Sequence, residues 1–129
     1  MDNLLIAASK STPEVRFDAG ANLLEIIGES YPENASKFYA PVFDWLGEYL
    51  GRVPAGTPVV VNLEIIYFNS SSSKALMNIF DLLSQAAADG RQVTVNWRYH
   101  TQNESAQECG EEFSEDVEGV AFNLVEIDG

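Results

Sequence analysis

The sequence predicts an α/β fold, a small sandwich whose mixed β-sheet opens with an antiparallel hairpin and closes with a β-α-β-α-β half. Three observations carry that expectation. Two short apolar stretches near the start are separated by only Gly20, Ala21 and Asn22, as in a hairpin. Beyond residue 58 the apolar spacing alternates between the periods of strands and of helices, and right-handed crossovers then lay the strands parallel with the helices against the sheet. The 129 residues are 46% hydrophobic, with no repeat and no long Pro/Gly linker, so residues 1–129 are expected to form one domain around one core.

In order along the chain, Val15 to Ala19 and Leu23 to Gly28 supply the hairpin strands. From Asn34, apolar residues at Phe38, Val42, Trp45, Leu46, Tyr49 and Leu50 recur at intervals of three and four, the mark of an amphipathic helix. Pro41 lies inside that pattern and removes a hydrogen bond, so the helix is expected to kink there or to restart near Ala40; Gly51 and the "VPAGTP" segment end it. Val59 to Phe68 is mostly β-branched or aromatic, which predicts a central strand covered on both faces. Leu76, Ile79, Phe80, Leu83 and Ala87 form a helical stripe, and Gly90 stands where a left-handed residue stops a helix. The strict alternation of "QVTVNWRY" predicts the next strand, Asn103 to Glu115 an acidic helix with Ala106, Cys109 and Phe113 inward, and Val120 to Ile127 the last strand.

Charge narrows the function classes. Seven basic residues against twenty acidic ones give a net charge of −13, which repels phosphate backbones and anionic lipid, so neither nucleic acid nor membrane insertion is expected of the partners. The opening "MDNLLIAASK" lacks a basic segment, and nowhere do about 18 apolar residues run together, which points to a cytoplasmic protein. One cysteine, Cys109, and one histidine, His100, cannot assemble a zinc site, and no cofactor motif is found.

The remaining signal is "NSSSSKALMNIFDLL", residues 69–83, in which four hydroxyls follow the central strand. The turn after such a strand lies at the carboxyl edge of the sheet, where sites in open α/β folds gather. One serine, Ser71 or Ser72, is expected to cap the helix, which leaves three unexplained. Lys74 beside the hydroxyls suggests a phosphate cradle, but the glycines of a P-loop are missing. A serine of the Ser70 to Ser73 cluster acting with His100 would make a small hydrolase or phosphotransferase, although no nucleophile elbow is present. A further reading makes a serine the substrate of a kinase: phosphate adds about −1.5 to −2 charge at a helix start and can switch partner binding. A purely structural subunit of a larger complex is the last alternative.

Three stretches, "STPEVRFD", "SYPENASKFY" and "IIYFNSSSSKALMNIFDLL", followed by "VNWRYH" and "ECGEEFSED", resemble the SiaC family of bacterial regulatory phosphoproteins, themselves similar to STAS-type anti-sigma factor antagonists. The resemblance spans nearly the whole chain. It implies a STAS-like sandwich and a non-enzymatic switch protein, phosphorylated by a cognate kinase, dephosphorylated by a PP2C-type phosphatase, and binding and activating a diguanylate cyclase when unphosphorylated. It also implies that the acceptor is the Ser or Thr directly after the asparagine ending the central strand, which here is Ser70, with Ser71 and Ser72 as alternatives and Asn69 and Lys74 flanking the site.

Overall fold

The computed structural model describes residues 1–128. Along them run β1 (Leu4–Ile6), β2 (Glu14–Asp18), β3 (Leu23–Ser30), α1 (Ala35–Arg52), β4 (Pro58–Phe68), α2 (Ser70–Ala88), β5 (Gln92–His100), α3 (Glu104–Asp116) and β6 (Ala121–Ile127). The six strands form one sheet in sequential order, antiparallel from β1 to β3 and parallel from β3 to β6. The expected hairpin is therefore β2 and β3, and its second strand also begins the crossover series, which starts one unit earlier than the sequence suggested. The three-residue β1 gave no usable period, and Leu5 on it is 69% exposed.

Each crossover steps to the next strand in the same direction, so right-handed connections place all three helices on one face. That face carries the core. Leu24, Val61 and Val95 are aligned across β3, β4 and β5, as are Ile26, Leu63 and Trp97, and all six are at most 2% exposed. Tyr39, Val42 and Leu46 of α1 and Leu76, Ile79 and Leu83 of α2 pack over them, each no more than 2% exposed.

Among the described residues the opposite face has no helix, which corrects the expectation that β4 is covered twice. Its apolar run reflects a one-sided core with Val60, Glu64 and Ile66 looking the other way, half-buried or exposed. A side-chain ladder crosses this open face: Asn62 donates to Glu25 at 3.2 Å, Asn96 to Asn62 at 2.9 Å and Asn123 to Asn96 at 3.1 Å. Aligned amides satisfy one another, which is what lets Asn62 sit at 6% exposure in a strand centre.

Pro41 neither stops nor restarts α1, which is continuous from Ala35 to Arg52. It stands on the exposed side, and the carbonyl that loses its N–H partner, that of Lys37, belongs to an exposed residue within reach of water. Near the carboxyl edge, β3 and β4 slip register between Gly28 and Glu29, which pair with Ile65 and Tyr67, leaving Ile66 as the extra residue of a bulge. Gly28 takes φ +131° there, and a Cβ on it would approach the Pro13 Cα to 3.3 Å. The bulge turns both Ile66 (44% exposed) and Tyr67 (55%) outward, just before the serine run.

Candidate functional site

The four serines are the first four residues of α2, so the helix starts two or three residues earlier than a cap at Ser71 or Ser72 would require. Asn69 is the cap: extended at φ −86°, ψ 175°, it accepts from the Ser72 N–H through Oδ1 at 2.9 Å. This corrects the assignment of Ser71 or Ser72 to that role. A carboxamide just upstream of the run reaches a first-turn donor, the Ser72 N–H, and the serines are left with other work. All three helices begin this way, since Asn34 accepts from Lys37 N–H at 3.0 Å and Asn103 from Ala106 N–H at 3.1 Å. The Asn69 N–H also donates to the Ser30 carbonyl at 3.0 Å, which fastens the end of β4 to β3.

Because successive helical residues are turned by about 100°, one hydroxyl of the four faces the core. It is Ser72, fully buried. Its Oγ accepts from the Ser30 hydroxyl at 2.8 Å, and Ser30 shares a 2.6 Å hydrogen bond with the Tyr39 hydroxyl. Ser30 and Tyr39 are themselves 0% exposed. Burial pushes the Tyr39 phenol above its ordinary value, against which the hydrogen bonds to Ser30 and Ser72 act. The trio ties together the end of β3, the first half of α1 and the start of α2, and its burial withdraws Ser72 from any visiting enzyme. Nothing in the sequence marked Ser30 or Tyr39 for this role.

Ser70 and Ser71 are exposed, Ser73 is half-buried, and Lys74 is exposed one turn beyond Ser70. Ser71 and Lys74 line a cleft of about 500 Å³ between the starts of α1 and α2, with Asn34, Ser36 and Phe43 across from them. On the outer side of α2, Ser70, Lys74, Met77 and Asp81 follow at three- and four-residue steps, all exposed, Met77 at 48%. Tyr67 leans on Tyr31 edge-on, with ring centroids 5.8 Å apart. Ser70 thus follows the exposed Ile66 and Tyr67 of the bulge in the chain and shares the outer side of α2 with the exposed Met77.

His100 does not join the serines. Its Nε2 faces Glu64 on the open side of the sheet at 3.6 Å, and its Nδ1 has no hydrogen-bond partner among the described residues. Cys109 is half-buried on α3, as expected, with its thiol pushed up by burial and then by Glu112 and Glu108. Among the described residues no group of His, Cys, Asp and Glu could hold a metal, and no helix is long and apolar enough to cross a membrane.

Comparison with known proteins places this geometry. A family model described as "SiaC family regulatory phosphoprotein" matches residues 6–127. An uncharacterized protein of Pseudomonas aeruginosa strain UCBPP-PA14 is 40% identical over 116 residues, which is 90% of either chain. Among solved structures, SiaC of Pseudomonas aeruginosa superposes with a TM-score of 0.86 at 35% identity over 100% of both chains. A chain of the crystal structure of diguanylate cyclase SiaD in complex with its activator SiaC, from the same organism, gives 0.86 at 36% identity over 98% of this chain and 99% of that one.

Proposed function

The chain belongs to the SiaC family of regulatory phosphoproteins, and from that premise we propose that it is a switch without catalysis of its own, operated by phosphate on Ser70. In the unphosphorylated form it binds and activates a diguanylate cyclase in the cytoplasm; a cognate kinase adds the phosphate and a PP2C-type phosphatase removes it. The cyclase assignment is supported by the relative solved as the activator of a diguanylate cyclase. The observation that carries the proposal is the position of Ser70, exposed as the first residue of α2, preceded in the chain by the exposed Ile66 and Tyr67 and followed along its side of the helix by the exposed Met77.

That position suits a switch for two physical reasons. A helix N-terminus carries partial positive charge, and Lys74 lies one turn on, so a phosphate there is tolerated by the fold rather than melting it. Exposed apolar side chains before it in the chain and along its side of the helix form the kind of surface a partner covers, and a dianion brought under such a partner loses its water with Lys74 alone to answer its two charges. Phosphate then acts directly at the interface. The protein itself stays folded.

The test is phosphate incorporation by the cognate kinase, followed with binding to the cyclase. Ser70→Ala is expected to incorporate no phosphate while binding the cyclase like the unmodified protein. Full incorporation in Ser70→Ala, mapped by mass spectrometry to residues outside the serine run, would contradict the proposal.

A further inference from the structure

We infer that the buried hydroxyl trio of Ser30, Tyr39 and Ser72 selects the phosphoacceptor among the four serines, by fixing the rotation of the first turn of α2. The inference rests on the reading of that turn as the phosphorylated one. Four consecutive serines present a modifying enzyme with nearly the same local sequence four times, so local sequence alone does not discriminate among them. Three-dimensional placement does. With Ser72 held inward, the 100° step puts Ser70 some 200° away, pointing out, and sets Ser71 and Ser73 to either side, Ser71 along the cleft against α1 and Ser73 half-buried.

The first turn of a helix is its least constrained part, because its N–H groups lack intrahelical acceptors. Here the caps reach only the backbone: Asn69 accepts from the Ser72 N–H through its side chain and from the Ser73 N–H, at 2.9 Å, through its carbonyl. The side-chain tether is the Ser30 hydroxyl, which is fully buried and has Ser72 at 2.8 Å and Tyr39 at 2.6 Å as its partners. Turning the helix start by one residue would take Ser72 from that pocket and leave buried hydroxyls without partners, a state that protein interiors avoid. Ser30 and Tyr39 are positioning residues in this scheme. They touch neither the acceptor nor the kinase.

Their place on β3 and α1 supplies the test, since substituting them leaves the sequence around every serine of the run unchanged. Ser30→Ala and Tyr39→Phe are each phosphorylated by the cognate kinase, and the share of phosphate on Ser70, Ser71 and Ser73 is read by mass spectrometry. The wild-type protein is expected to carry phosphate on Ser70, and both variants are expected to raise the combined share on Ser71 and Ser73 about fivefold, the population change that loss of one neutral hydrogen bond permits. Unfolded chain presents all the serines alike and would also move this ratio, so the folded fraction of each variant is measured by circular dichroism under the assay conditions, and a rise in protein that remains folded separates positioning from mere stability. An unchanged ratio in both variants overturns the inference and leaves the switch reading standing. No phosphate anywhere in residues 70–73 of the wild-type protein overturns both.

Discussion

Along the inner side of α2, Ser72, Leu76, Ile79 and Leu83 are at most 2% exposed, whereas Ser70, Lys74, Met77 and Asp81 on the outer side stand in solvent. The inner residues answer to packing: each fills space against the sheet or α1, and the one polar member is hydrogen-bonded. Nothing in the fold requires the outer residues. A methionine held 48% exposed between a lysine and an aspartate adds nothing to the core, so what it contributes is offered outward. One helix thus separates what keeps the molecule folded from what it shows to others, and the two sides are expected to fail in different assays.

The largest effect is expected on the inner side. Leu76→Ala removes a fully buried side chain and should cost about 2–5 kcal/mol in denaturant unfolding, while the protein that remains folded binds the cyclase with unchanged affinity. On the outer side the pattern reverses. Ser70→Asp should weaken cyclase binding about tenfold, or about 1.4 kcal/mol, with unfolding stability within about 0.5 kcal/mol of the parent. A loss of stability without a loss of affinity in Ser70→Asp would erase the distinction between the two sides.

Between those sides lies the cap. Asn69→Ala deprives the Ser72 N–H of its acceptor and should lower stability by about 1 kcal/mol, measured by thermal or denaturant unfolding. The smallest effect concerns alkaline pH. Tyr39 has its folded pKa raised by burial, so above the ordinary tyrosine value of about 10 the unfolded chain releases this proton while the folded one retains it. Stability is then fully present below that pH and falls as pH rises toward the folded value. Tyr39→Phe should fall less steeply over this range, and the remaining slope belongs in part to Tyr49, which burial also raises.

Much of this architecture was legible because its signals are local. The β2–β3 hairpin, the alternation in β5 and the stripe and Gly90 stop of α2 need only neighbours in sequence, and Gly90 does take φ +97°. The resemblance alone singles out Ser70, and the structure adds that it is exposed at the start of α2. What escaped depended on contacts between distant residues. Whether β4 is covered on one face or two is decided by the direction of the crossovers, and an apolar run reads the same either way. The Ser30–Ser72 hydrogen bond joins residues 42 positions apart, and neither serine differs in sequence from one exposed to water. The asparagines did leave a trace: "VNL", "VNW" and "FNL" repeat an amide within three neighbouring strands, at Asn62, Asn96 and Asn123, which the register then stacks.

The central claim, that charge on the outer side of α2 governs partner binding while the inner side preserves the fold, is tested most directly by calorimetric titration of the cyclase with the protein phosphorylated only on Ser70 and with its unmodified form. The account predicts an affinity lower by at least about tenfold for the phosphorylated protein, with the same unfolding midpoint or a slightly higher one. Equal affinity of the two forms would contradict it.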